Sequence, residues 1–133
     1  MKLFIAFSQL IIFILIGANS VMALNNSGNL SECLIPSNCV RVEWSFPKLK
    51  NAYEELVGIA TSLPRVRQIE SNEHYWHGVV RSLIFRFPDD LEILRIDSRN
   101  IIQVRSASRI GLSDLGVNQE RVNNLYNQLK EKV

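Results

Sequence analysis

The chain has 133 residues and a formal net charge of +2, which leaves room for one domain and gives no electrostatic reason to expect nucleic-acid binding. Apolar residues make up 47% of the sequence and charged residues 21%, as in ordinary globular proteins. This composition excludes a wholly disordered chain.

The N-terminus has the order of a secretory signal. A positively charged start is followed by an apolar run from Leu3 to Ile16 and by small and polar residues up to Ala23. This order predicts a signal peptide over residues 1–23 and export to the periplasm, or to the thylakoid lumen if the source is photosynthetic. The alternative is an uncleaved membrane anchor, because residues 3–24 just reach the length that spans a bilayer.

Two cysteines open the predicted domain. The polar segment 24–32 has no hydrophobic periodicity and is interpreted as a flexible linker, and residues 33–133 are interpreted as a single domain. Cys33 and Cys39 are the only cysteines, so export to an oxidising compartment favours a disulfide between them. Two free thiols are one alternative. A metal-binding pair is another, although it needs more ligands than two thiolates.

Hydrophobic spacing predicts the elements that follow. Alternation over residues 40–46 indicates a short strand, and apolar residues at three- and four-residue steps indicate an amphipathic helix over residues 47–62. Runs of β-branched and aromatic residues then predict four antiparallel strands. These strands span residues 65–70, 75–87, 91–97 and 101–108, with turns at residues 71–73, 88–90 and 98–100.

A second amphipathic helix ends the chain. It is predicted to begin near Asn118, a residue type that caps helix N-termini. Its apolar face is predicted to consist of Val122, Leu125, Tyr126, Leu129 and Val133. The order strand, helix, four strands, helix predicts an α+β fold, with a single antiparallel sheet of about five strands and both helices packed on one face.

The densest polar segment lies between the last strand and the last helix. It contains the runs Val104-Arg105-Ser106-Ala107-Ser108-Arg109 and Ser113-Asp114-Leu115-Gly116-Val117-Asn118, and it continues to Arg121. Together with the cysteine pair before Val40 and the run Phe87-Pro88-Asp89-Asp90, it resembles the domain of unknown function 1499 family over about residues 33–129. Members are typically bacterial or plastid proteins with an export signal or membrane segment. The resemblance therefore implies export or membrane association but no activity.

Arginine is unusually frequent around this segment. Residues 65–121 contain nine arginines and no lysine, and arginine binds carboxylates or phosphates with a planar fork that tolerates partial burial. Alternation along the last strand places Arg105 and Arg109 on one face and Ser106 and Ser108 on the other. The two arginines would then lie about 13 Å apart along the strand.

These side chains predict an exported, non-enzymatic binding or docking protein. The binding site is predicted to be a polar cluster of Arg105, Ser106, Ser108, Arg109, Ser113 and Asp114. It would hold a small anionic ligand or an acidic segment of a membrane protein complex. In the alternative interpretation the arginines form internal ion pairs with nearby acids, namely Asp89, Asp90, Glu92, Asp97 and Asp114.

An enzyme is the second hypothesis, and a metal or haem carrier is the third. A hydrolase would combine His77, one of the serines and Asp114, but the chain has no Gly-x-Ser-x-Gly nucleophile motif. A carrier would use the cysteines or His74 and His77, which face opposite sides of a strand and make a poor metal site. The sequence therefore predicts no catalytic residue, cofactor or metal.

Overall fold

The computed structural model describes residues 28–133, so the predicted signal peptide and the first residues of the predicted linker lie outside the described residues. The elements are β1 Cys39–Trp44, α1 Leu49–Thr61, β2 Val66–Ser71, β3 Tyr75–Arg81, β4 Pro88–Ile96, a 3-10 turn Asp97–Arg99, β5 Ile101–Ser108 and α2 Val117–Lys130. Within these residues the strands form one antiparallel sheet in the order β1-β5-β4-β3-β2. The α+β prediction and its element order are confirmed.

Both helices pack on the same face of the sheet, which we call the helix face. The core between the layers includes Leu56 of α1, Ile93 and Val104 of the sheet, and Leu125 of α2, all completely buried. Trp76 of β3 belongs to the same core. Its ring occupies the space that a Cβ at Gly78 would need. Alternation along the strands therefore places one set of apolar residues of the sheet under the helices.

The last helix begins differently from the prediction. Gly116 is the N-cap and adopts a left-handed backbone with φ 84°, whereas Asn118 lies within the first turn and uses its side chain elsewhere. Val122, Leu125 and Leu129 are buried as predicted, but Val133 follows the end of α2 and is 52% exposed. The prediction that Asn118 caps the helix and that Val133 lies on its buried face was therefore wrong.

The connection between β3 and β4 also differs. β3 ends at Arg81, which pairs with Pro88, so residues 82–87 form a loop and not the end of a strand. Pro88 starts β4, where its missing N–H is tolerated at the first position of a strand. The predicted strand over residues 75–87 and the predicted turn at residues 88–90 were wrong, because the chain reverses six residues earlier.

The segment before β1 is part of the fold. Leu30 is fully buried against Tyr75 and Leu94 on the face of the sheet opposite the helices. Its amide donates to Gln103 Oε1 at 2.9 Å, and Arg41 Nη1 donates to its carbonyl at 2.7 Å. The folded domain therefore begins before Cys33, inside the segment predicted to be a linker.

Cys33 and Cys39 form a disulfide, with their Cα atoms 5.4 Å apart. The disulfide prediction is confirmed.

At the far edge of the sheet, β2 carries a β-bulge between Gln68 and Glu70. This bulge interrupts the regular ladder to β3 on the inner side of the edge strand.

Candidate functional site

The sheet face opposite the helices, the open face, holds Arg105 in an ion pair. Arg105 Nη1 donates to Glu92 Oε2 at 3.1 Å, and the Tyr75 hydroxyl donates to Glu92 Oε1 at 2.7 Å. Glu92 is only 1% exposed. Burial and the adjacent Glu92 carboxylate raise the pKa of Tyr75, which keeps its hydroxyl protonated as the donor. Arg105 is thus committed to a buried carboxylate.

Arg109 and His77 share a second carboxylate on the open face. Arg109 Nε and Nη2 lie 2.8 Å from the two oxygens of Asp90, and His77 Nε2 lies 2.6 Å from Asp90 Oδ1. Burial alone would raise the pKa of Asp90, but hydrogen bonds from Arg109 and His77 outweigh it and hold that pKa well below its usual range. The carboxylate is therefore ionised, and the arginine fork is occupied.

On the helix face, four side chains join α2 to the sheet; we call them the helix-base network. The Ser106 hydroxyl donates to Asn118 Oδ1 at 2.6 Å, and Arg121 Nη1 donates to Ser106 Oγ at 2.9 Å. Arg121 Nη2 then lies 2.9 Å from Asp89 Oδ2. Ser106 and Asn118 are completely buried, so this network holds the start of α2 in place.

Asp114 fixes the turn that leads into α2. Its Oδ1 accepts the Gly116 amide at 2.7 Å, and its Oδ2 accepts the Asn118 side-chain amide at 2.7 Å. The same Asn118 amide donates to Ser108 Oγ at 3.0 Å. Burial opposes ionisation of Asp114, but the hydrogen bonds from Asn118 and Gly116 lower its pKa overall. The charge also lies at a helix N-terminus, where a carboxylate is favourable.

The six predicted site residues do not form one cluster. They divide into Arg105 and Arg109 on the open face, Ser106, Ser108 and Asp114 beneath the start of α2, and Ser113 exposed in the turn between them. The predicted alternation along β5 is confirmed, and Glu92 and Asp90 are the internal partners foreseen by the ion-pair alternative. Ser106 and Ser108 lie on the face of the sheet opposite His77, so neither can join His77 in the predicted hydrolase triad.

Large apolar side chains are exposed at one end of the sheet. They lie in three loops, and at the first residue of α2, where β1 and β4 start and β3 and β5 end. They are Leu34, Ile35, Leu83, Ile84, Phe85, Phe87, Ile110, Leu112, Leu115 and Val117, which we call the apolar end. Of the eleven such side chains in the part of the chain that the structure describes, only Val133 lies elsewhere. Such concentrated exposure is unusual for a surface without a partner.

Hydrogen bonds hold the three loops in place. The Ser37 hydroxyl donates to the Leu112 carbonyl, and the Asn38 side-chain amide donates to the Gly111 carbonyl at 2.6 Å. The first and last residues of the loop 82–87 exchange hydrogen bonds of 3.0 and 2.9 Å. Together with the disulfide, these contacts present the apolar side chains on supported turns, so the end is largely pre-formed.

A cleft of about 360 Å³ opens at the apolar end. The stacked rings of Phe85 and Phe87, with centroids 5.3 Å apart, contribute to its apolar wall. Ser108, Ser113 and Asp114 contribute polar atoms to the same cleft. Half of the predicted polar cluster therefore borders an apolar surface.

Leu115 is the most exposed member of the apolar end. Its side chain is 94% exposed, and its backbone is left-handed with φ 54°. This conformation costs a residue with a Cβ about 1 kcal/mol. Leu115 thus contributes neither buried area nor a favourable backbone to the fold.

Three arginines lie in or beside the loop 82–87. They are Arg65, Arg81 and Arg86, which we call the arginine corner. Arg65 Nε donates to the Arg81 carbonyl at 2.9 Å, and Arg81 Nη1 donates to the Arg86 carbonyl at 3.0 Å. All three are exposed, and none has a carboxylate within ion-pair distance among residues 28–133. The carbonyl partners of Arg65 and Arg81 do not neutralise the positive charges of these two side chains.

Sequence reasoning missed the apolar end. The run from Leu83 to Phe87 has strand-like composition, and its exposure follows only from the chain reversal at residues 82–87. The available signal was Pro88, because proline is tolerated at the first residue of a strand as well as in a turn. The apolar residues after Arg109 follow neither a strand nor a helix period, and that irregularity was the second signal.

No set of three His, Cys, Asp or Glu side chains within residues 28–133 is arranged to hold a metal ion. In the same range, none of the helices is both long and apolar enough to span a membrane. Residues 29–129 match a family described as protein of unknown function (DUF1499). Comparison with curated proteins found no match.

Proposed function

Because the chain belongs to DUF1499, a family that assigns no activity, we propose a function from the surface itself: an exported, non-enzymatic protein that docks on a membrane-associated partner through its apolar end. The observation that carries the proposal is the concentration of exposed large apolar side chains in three adjacent, supported loops. Burying one such side chain against a partner is favourable by about 1.5–3 kcal/mol. A docking surface needs only a few of them.

The two arginines of the open face are already paired with carboxylates, which argues against docking at these arginines. An anionic ligand at Arg105 would have to displace Glu92, which is 1% exposed and would be left as an unpaired buried charge. Arg109 already forms a two-point contact with Asp90. Of the predicted polar cluster, Ser108, Ser113 and Asp114 therefore remain as the members that border the proposed docking surface.

Two observations support export. The first 23 residues have the charge, hydrophobic run and small-residue end of a secretory signal. The Cys33–Cys39 disulfide is typical of proteins in oxidising compartments such as the periplasm or a lumen.

Photo-crosslinking in the protein's own host tests the docking proposal. A photo-reactive amino acid replaces Leu83 of the apolar end in the full chain, and the same amino acid replaces Val133 as the matched control. We expect position 83 to form an adduct with a membrane component, either protein or lipid, and position 133 to form none. Equal labelling from both positions, or no adduct from position 83, would overturn the proposal.

A further inference from the structure

We infer that the partner of the apolar end is the surface of an anionic lipid bilayer, into which the loop tips insert while Arg65, Arg81 and Arg86 bind lipid phosphates. This inference rests on the proposed docking function and names its partner. It is drawn from the shape of the loops, their aromatic pair and the charges around them.

The exposed side chains stand out from the body of the domain. Leu83, Ile84 and Phe85 are 69–79% exposed, and Leu112 and Leu115 are 75% and 94% exposed. Side chains that project this far from separate loops match the shallow, fluid boundary between headgroups and acyl chains, where apolar groups enter by about 5–10 Å. Loop backbones at that depth still meet water, and many of their polar groups are already paired within the loops.

The charges at this end favour an anionic surface. Three acids near the apolar end are engaged, Asp89 with Arg121, Asp90 with Arg109, and Asp114 with amides, whereas the exposed Glu120 lines a cleft beside Arg65. The arginine corner is not neutralised in this way, so the rim of the loop 82–87 is positive. Guanidinium groups donate two parallel hydrogen bonds to phosphate oxygens, and cations beside an inserted apolar segment are attracted to acidic lipids.

The order of residues along the loop gives the depth of each group. Arg81 ends β3 and Arg86 lies between the two stacked rings of Phe85 and Phe87 in sequence. The apolar side chains lie at the tip of the loop, and the guanidinium groups lie at its base. When the tip inserts into a bilayer, this arrangement places the lipid phosphates level with the arginines. Phenylalanine is among the residues that interfacial segments bury on their apolar side.

Fluorescence quenching by brominated lipids tests the inference. The native tryptophans are remote from the apolar end, since Trp76 is fully buried in the core and Trp44 packs on Tyr126 of α2. Phe85→Trp therefore reports insertion at the loop tip, and Val133→Trp reports any contact at the opposite end. The full chain, as processed by its host, is mixed with vesicles of phosphatidylglycerol and phosphatidylcholine in equal amounts that carry bromine on the acyl chains.

We expect quenching of Phe85→Trp above the native signal and none of Val133→Trp. Arg86→Gln should weaken partitioning roughly fivefold, whereas Lys48→Gln, which removes a charge at the other end, should leave it unchanged. Leu83→Ser should weaken partitioning about tenfold. An N-terminal anchor that still remained on the chain would bind every variant equally, so the differences between variants report the loops.

Equal quenching at positions 85 and 133, or binding that does not depend on Arg86 or on phosphatidylglycerol, would overturn the lipid inference. The two experiments can reject lipid binding without rejecting the docking function. A protein adduct from position 83 in the host, with no quenching on vesicles, leaves the docking function standing and replaces the bilayer with a protein partner. No adduct in the host removes the docking function and with it the inference.

Discussion

Arg121 Nη2 lies 2.9 Å from Asp89 Oδ2, and the two side chains are only 10% and 6% exposed. This ion pair joins α2 to β4 directly behind the cleft, because Asp89 also borders the apolar end. The start of α2 is therefore held by charge as well as by the hydrogen bonds of Ser106 and Asn118 in the helix-base network.

Asp89→Asn should lower the free energy of unfolding by roughly 3 kcal/mol, because it leaves the Arg121 guanidinium buried without a counter-charge. Urea denaturation measures the change. Glu54→Gln is the matched control, since it breaks an exposed i,i+4 pair with Lys50 and should cost less than about 0.5 kcal/mol. Equal losses from the two substitutions would show that the buried pair is not structurally important.

Leu115→Gly should separate docking from stability. Glycine adopts the left-handed backbone of position 115 freely, so the free energy of unfolding should stay the same or rise by up to about 1 kcal/mol. Docking should weaken, since an apolar side chain that is 94% exposed is lost. Leu115→Ala keeps the Cβ and should weaken docking without the gain in stability. A glycine variant that docks as well as the native chain would exclude Leu115 from the surface.

Stability should decrease in acid through Asp90. Burial alone would raise its pKa, but hydrogen bonds from Arg109 and His77 hold it below the usual range. A carboxyl with a lowered pKa in the folded state stabilises the protein above its unfolded pKa, near 4, and loses that contribution as the pH falls below it. We expect the free energy of unfolding to decrease when the pH is lowered below about 4.

Asp90→Asn should reduce this loss, since an amide has no proton to gain. Urea midpoints at about pH 7 and about pH 3 measure the effect in both proteins. The variant should be less stable than the native chain at neutral pH and closer to it in acid. The same difference at both values would assign the acid sensitivity to other carboxylates.

Replacing both Cys33 and Cys39 with serine should lower the free energy of unfolding by about 2 kcal/mol, the amount expected for closing so short a loop. Docking should also decrease, since the loop that carries Leu34 and Ile35 loses its covalent closure. Denaturation of the native chain with and without reductant provides an independent measurement. If reductant has no effect on the native chain, the loop is held by Ser37 and Asn38 alone.

Much of the fold followed from local patterns. The strand β5 was predicted with the bounds that it has, because alternation of Val104 and Arg105 identifies both its faces. The position of α1 and the side of α2 that packs on the sheet followed from three- and four-residue spacing. These are properties that a short window of residues determines.

The candidate site depended on contacts between distant parts of the chain. Whether Arg105 is free or paired depends on the register that sets Glu92 opposite it on β4, and no local pattern fixes that register. Asn118 resembled a helix cap, but its amide is drawn to Ser108 and Asp114 once α2 packs on the sheet. The apolar end likewise exists only because three loops, far apart in sequence, meet.

The bulge in β2 bears on whether another chain can add a strand at that edge of the sheet. A chain with so much exposed apolar surface would be prone to aggregate if its sheet also offered a regular edge on which another chain could add a strand. The irregular ladder between Gln68 and Glu70, with the exposed Arg67 beside it, makes β2 a poor template for such addition. Copies that meet through their apolar ends are therefore less able to join their sheets through β2.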